Sequence, residues 1–184
     1  MRCNYTKENL WAAKDVQKID GAFIKKWIIA KMYILSHEKR TNKRRTKVMD
    51  ILEAKENIIV QQVNCCKVMG AGLALAIRNK YPKVYTAYRN RDGKLGNVLL
   101  VKVEDNKWVA NIYGQQTYGR DKNVVYTDYN AVETALNKVN KFATENNLSI
   151  AIPYKMGCGL ANGNWNKIQE ILNKTLTNYT IYKK

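Results

Sequence analysis

Histidine is almost missing from this sequence: His37 is the only one in 184 residues. A Cys-His or Ser-His-Asp nucleophile would rest on that single imidazole, so such mechanisms are set aside. Cysteine is scarce too. Cys3, Cys65, Cys66 and Cys158 include an adjacent pair that cannot form a C-x-x-C knuckle. No metal is expected, and with no disulfide framework a reducing cytoplasm is the expected location. Two prolines and ten glycines exclude a collagenous or low-complexity chain. Long apolar runs are lacking. The longest, residues 22–35, is broken by Lys25, Lys26 and Lys31. It is too short and too charged to span a bilayer, and it lacks a signal-peptide cleavage site. Acid is the last shortage: 15 Asp+Glu stand against 32 Lys+Arg, a net charge of +17. That field favours polyanions: nucleic acid, nucleotides or an acidic membrane surface.

What is present suits one domain with an appendage. Hydrophobic residues make up 46%, enough for a core. The charge is uneven, because residues 1–47 hold 13 Lys/Arg and 4 Asp/Glu. Within them Ile19, Phe23, Ala30 and Ile34 could share one face of a basic amphipathic helix. Its simplest reading is a helix on the domain surface or a loosely attached tail; membrane or nucleic-acid contact is the sharper alternative. The basic run HEKRTNKRRTK, residues 37–47, reads as a solvated linker, with a nucleic-acid patch as its alternative. The domain boundary is therefore set near Thr46. Residues 1–46 form a basic extension, helical or loosely ordered, and residues 47–184 the domain.

The pattern changes at Lys47. Residues 47–49 are a short strand candidate, and IIVQQV, residues 58–63, reads as a buried strand. Leu73, Ala74, Ile77 and Tyr81 recur at helical spacing until Pro82, and Val84 and Tyr88 suggest a second helix. Residues 98–103 and 108–113 read as a hairpin around Asp105-Asn106. Thr127 or Asp128 caps a long helix with the stripe Val132, Ala135, Leu136, Val139, Phe142 and Ala143. SIAIP is a short strand, Asn164 caps a last helix, and residues 179–182 make a last strand. Strands and helices largely alternate, so the fold class is α/β with a mixed sheet.

Two glycine loops each join a strand to a helix: VNCCKVMGAGLA and PYKMGCGLANGNW. Unpaired amides at such a helix start form an anion site, and glycine lets a phosphate approach the backbone. The dinucleotide fingerprint G-x-G-x-x-G fails at Leu75, and no Gly-Lys-Ser/Thr supports a P-loop. Two loops at the C-terminal ends of strands can instead close over one diphosphate.

Asp50-Ile51-Leu52, then IIVQQVN, CCKVMGAGLA and PYKMGCGLANGNW, together resemble a macrodomain, an ADP-ribose-binding module. The resemblance runs from about Lys47 to Tyr182. It is nearest the branch holding terminal ADP-ribose glycohydrolases, DNA ADP-ribosylation antitoxins and the yeast-type ADP-ribose-1''-phosphate phosphatase. It implies a three-layer α/β/α fold with a mixed central sheet behind the basic helical extension. It implies that Asp50 accepts from the adenine amino group, with Ile51 alongside, and that Asn64 binds the distal ribose. Gly70, Ala71 and Gly72 would offer amides to the diphosphate and distal ribose. Gly157, Cys158, Gly159 and Leu160 would form the second cradle, and Tyr182 would lie beside the adenine or in the core.

Departures limit the chemistry the resemblance implies. Met49 stands where the family has glycine, Gln115 where the glycohydrolases have a nucleophilic lysine, and Ala161 where they have an acid. Glutamine cannot form a Schiff base with an opened ribose, so a lysine-adduct glycohydrolase is not expected. Asp121, Asp128 and Lys67 are the ionisable groups placed nearest the mouth, each with a structural alternative as loop solvation, helix cap or loop charge. The cysteines are expected to be small residues filling tight loops. The functional expectation is an ADP-ribose-binding macrodomain hydrolysing ADP-ribose-1''-phosphate, or a related derivative, by positioned water, with Asn64 the catalytic candidate. The alternatives are a non-catalytic reader of ADP-ribose or ADP-ribosylated macromolecules, and a nucleic-acid binder acting through residues 1–46. No cofactor is called for, and a monomer is expected.

Overall fold

The computed structural model describes residues 43–184. Cys3, His37 and the amphipathic helix expected within residues 19–35 lie outside them. Among the described residues six strands form one sheet in the order β1-β6-β5-β2-β4-β3. They are β1 Lys43–Val48, β2 Ile58–Asn64, β3 Val98–Glu104, β4 Lys107–Gln115, β5 Ile150–Pro153 and β6 Asn178–Lys183. Only β3 runs antiparallel to its neighbour, as the first strand of the β3–β4 hairpin, so the sheet is mixed. The helices are α1 Gly72–Lys80, α2 Pro82–Arg89, α3 Tyr129–Glu145 and α4 Trp165–Thr175.

Two cores follow from the alternation of side chains across the strands. Ile58, Val60 and Ile112 meet Val132, Leu136 and Val139 of α3 and Ile168 and Leu172 of α4. On the opposite face Ile59, Val63, Val109 and Tyr113 meet Ile77 of α1 and Val84 and Tyr88 of α2. Each of these burials contributes about 1.5–3 kcal/mol, and together they make the three-layer α/β/α arrangement. Central β2 is covered on both faces and flanked by parallel β4 and β5, which is why it reads as a near-continuous β-branched run. Asp128 caps α3 by accepting from the Ala131 amide at 2.9 Å, and Asn164 caps α4. Proline ends α1 and opens α2 at its first turn.

The first strand begins earlier than the residues suggest. β1 starts at Lys43, inside the run taken as linker and upstream of the boundary at Thr46. Lys43–Val48 pairs in parallel with Asn178–Lys183. It lies at the sheet edge, where basic residues suit an exposed strand and no apolar alternation is needed. Among the described residues no helix is long and apolar enough to cross a membrane. Nor do three His, Cys, Asp or Glu side chains there come together as metal ligands.

Candidate functional site

The two glycine loops leave the C-terminal ends of β2 and β5, and those strands are neighbours in the sheet. Adjacent parallel strands bring the loops side by side. The first loop, residues 65–71, is organised by Asn64, the last residue of β2. Asn64 Oδ1 accepts from the Cys66 amide at 3.0 Å and the Val68 amide at 3.2 Å, and Nδ2 donates to the Val68 carbonyl at 2.8 Å. The Tyr88 hydroxyl donates to the Asn64 main-chain carbonyl and lies 3.0 Å from Oδ1. Burial pushes the Tyr88 hydroxyl well above the usual tyrosine range, so it stays a donor. The loop then enters α1 through Gly72 at φ +55°, a left-handed conformation that favours glycine. Ala71 precedes it without a side-chain cap, which leaves the first amides of α1 open to a ligand.

The second loop is tied down from below. Gly157, at φ +72°, presents its carbonyl to the Gly163 amide at 2.9 Å and the Thr127 hydroxyl at 2.7 Å. A Cβ at Gly163 would stand 2.6 Å from that carbonyl. Gln62 Nε2 on β2 reaches Thr127 Oγ1 and Gln115 Oε1, both at 3.0 Å, and Gln115 Nε2 donates to Thr117 O. One amide network thus joins β2, β4 and both edges of the second loop. No such hydrogen bonds engage the amides of Gly159 and Leu160 among the described residues.

Both loops line one cavity of about 680 Å³. Asn64, Gly70, Ala71 and Gly72 face it from one side and Gly157, Gly159, Leu160 and Ala161 from the other. Gln62 and Gln115 also line it, with Tyr118, Arg120 and Lys155. A second cavity of about 320 Å³ adjoins it, lined by Asp50, Ile51, Tyr182 and Lys184. Gly72, Leu73, Pro153 and Tyr154 line both, so the two are chambers of one cleft. In the smaller chamber Asp50 Oδ1 caps the turn Ile51–Glu53 through the Leu52 amide at 2.9 Å, and Oδ2 pairs with Lys184 Nζ at 2.6 Å. The Lys184 ammonium, then the Leu52 amide, hold the Asp50 carboxyl below its ordinary value. Tyr182 is both a core residue and a wall: it is buried, and its hydroxyl donates to the Glu56 carboxylate while Lys47 Nζ lies 3.1 Å away.

A macrodomain protein from Streptomyces coelicolor superposes with a TM-score of 0.65 and 28% identity, over 77% of this chain and 99% of that one. This chain has a macrodomain fold. No protein-family model matches it. The DNA ADP-ribosyl glycohydrolase of Mycobacterium tuberculosis is 25% identical over 130 residues, 67% of this chain and 36% of that protein. The chain thus spans about a third of the length of the curated relatives it matches. Thermosipho africanus DarTG, solved in complex with ADP-ribose, shares the fold with a TM-score of 0.62 at 20% identity, over 79% of this chain and 43% of that one.

The macrodomain cleft gathers every residue singled out for binding except Cys158. Cys158 turns away. Its amide donates to the Lys155 carbonyl at 2.9 Å, its thiol lies 3.3 Å from the Met156 carbonyl, and its side chain packs on the α3–α4 core. Burial pushes that thiol above its usual range. The second loop therefore lines the cavity through Gly157, Gly159 and Leu160. Cys65 is half-buried and packs on a core as expected, but Cys66 is exposed. Asn64 reaches the cavity with its acceptor already occupied and one amide hydrogen committed to the loop, so it anchors the loop first.

Asp121, Asp128 and Lys67 line neither chamber. Asp128 caps α3, Asp121 Oδ1 accepts from the Asn123 amide at 2.9 Å, and Lys67 pairs with Asp92 at 2.8 Å. Each takes its structural alternative. The cations at the larger chamber are Arg120 and Lys155, and Lys184 stands at the smaller. Sequence reasoning missed all three as site residues. Lys155 carried a signal, because it sits within the second glycine loop; Arg120 lies in a polar loop without pattern.

Proposed function

We propose that this macrodomain binds ADP-ribose in the cleft and hydrolyses ADP-ribose-1''-phosphate or a related ADP-ribose derivative. The observation that carries the reading is the convergence of both glycine loops on one cavity continuous with the Asp50 chamber. Adenine would occupy the smaller chamber, with its amino group donating to Asp50. The diphosphate would lie between the open amides of α1 and those of Gly159 and Leu160. The distal ribose would enter the larger chamber, where Arg120 and Lys155 suit a further phosphate. A water held there would attack the 1''-phosphorus and break its bond to the ribose 1''-oxygen; that oxygen takes up a proton as the water gives one up, ADP-ribose and inorganic phosphate leave, and the loop amides would stabilise the developing charge. The ADP-ribose held by the Thermosipho DarTG structure supports the ligand class.

Gln115 and Ala161 favour a second reading. Both line the larger chamber where the resemblance puts a lysine and an acid, and the Gln115 amide is tied to Gln62 and Thr117. A domain so furnished suits a reader of ADP-ribose or ADP-ribosylated partners. The wider proposal is a monomer working in a reducing cytoplasm, with the basic residues ahead of β1 contacting nucleic acid.

Calorimetric titration tests the binding. ADP-ribose should bind in the micromolar range, about −8 kcal/mol, and AMP more weakly because it lacks the distal ribose. A folded sample that ignores millimolar ADP-ribose refutes the function. Phosphate release from ADP-ribose-1''-phosphate by the same sample separates enzyme from reader.

A further inference from the structure

The two helical layers differ in charge. On α3 and α4 lysines and glutamates nearly balance, and some pair: Lys174 with Glu133 at 2.5 Å and Lys141 with Glu145 at 3.9 Å. The opposite layer, residues 72–94, carries Arg78, Lys80, Lys83, Arg89, Arg91 and Lys94 against Asp92 alone. All six cations are exposed. Lys80 pairs with Glu53 at 2.7 Å, and Asp92 is taken by Lys67. Arg78, Lys83, Arg89, Arg91 and Lys94 make no ion pair among the described residues. Packing does not require them, since α1 and α2 are buried through Ile77, Val84 and Tyr88. Unpaired like charges repel and weaken the compact state.

We propose that this α1–α2 face binds the phosphate backbone of a nucleic acid. Helical spacing puts Lys83 and Arg89 on the outward side of α2, away from Val84 and Tyr88. Arg78 lies over the Tyr85 ring at 4.2 Å, a planar cation–aromatic stack of the kind that single-stranded bases extend. An acidic protein would match the charge but would not use that stack. A membrane would need a row of apolar side chains to insert, and the exposed large ones here are Leu75 and Leu95, each 37% exposed. The face stands independently of the ADP-ribose reading and of residues 1–46.

The test uses the full chain and measures fluorescence anisotropy of labelled single-stranded DNA or RNA of about 20 nucleotides across a salt series. The DNA and RNA arms identify which polymer is preferred. One triple variant, Lys83→Gln, Arg89→Gln and Arg91→Gln, removes charge from this face. A matched triple, Lys141→Gln, Lys167→Gln and Lys174→Gln, removes it from the other. The first should weaken binding about tenfold at low salt and make the log–log salt dependence shallower by about 2, since each lost single-strand phosphate contact removes about 0.7. The second should leave that slope nearly unchanged. Thermal melts confirm that both triples fold. If the first does not, Lys83→Glu alone should still flatten the slope by about 0.7 or more. Equal losses in both triples, no effect in the first, or no binding by the wild type overturns the proposal. So does equal binding of polyglutamate or anionic vesicles.

Discussion

Replacing Asn64 with alanine separates two roles that one residue could fill. If the side chain anchors the first glycine loop, Asn64→Ala strips the Cys66 and Val68 amides and the Val68 carbonyl of their partners in a site only 6% exposed. The Tyr88 hydroxyl keeps its main-chain acceptor. Three lost hydrogen bonds at about 1 kcal/mol each come to about 3 kcal/mol. For a domain of this size that lowers Tm by roughly 6–12 °C. ADP-ribose affinity should fall tenfold or more, because the Gly70–Gly72 amides lose their fixed position, and any turnover should fall with it. Circular-dichroism melting and calorimetry on the same sample read both quantities. A variant with unchanged Tm refutes the anchoring argument. If its affinity still collapses, Asn64 acts on the ribose directly; if affinity and turnover both survive, Asn64 has neither role.

Gly157→Ala should abolish measurable ADP-ribose binding and destabilise the fold, because Gly157 sits at φ +72° and a Cβ there would meet Gln62 Oε1; normal affinity in this variant would show that the second cradle is not used. Borohydride treatment during turnover should trap no covalent ADP-ribosyl protein, since Gln115 stands in the lysine position, and an adduct mapped to Lys155 by mass spectrometry would overturn this. Asp50 has a lowered pKa, so its carboxylate interactions persist above the ordinary value and are lost only as pH falls through the lower one. Lys184→Met should therefore move the acid limb of ADP-ribose binding to higher pH, and an unmoved limb would deny Lys184 that influence. A chain starting at Asn42 should fold and bind ADP-ribose like the full chain, whereas a start at Arg45 removes the first two residues of β1 and should melt lower; equal melts for the two would show that this end of β1 contributes nothing.

The sequence alone determined the layered fold and the place of the candidate cleft. Apolar periodicity marks β2, α1 and α3 because those elements must bury a face, and Asp128 and Asn164 signal their helices through local capping chemistry. The glycine loops were legible for a similar reason: a left-handed turn or a close backbone approach leaves few residues acceptable. Only the tertiary structure decided what pairing across distance controls. β1 gains its form from the backbone of β6, some 135 residues away, so its basic sequence reads as linker. Cys158 belongs to the second loop in sequence, yet the turn through Lys155 directs it into the core. Arg120, Lys155 and Lys184 reach the chambers by loop placement, and a cation in an irregular segment carries no periodicity to announce it. Asn64 was visible as a site residue, but its commitment to the loop depends on where residues 65–68 and Tyr88 come to rest. Burial and caps are written locally; which polar group meets which is settled only when the layers close.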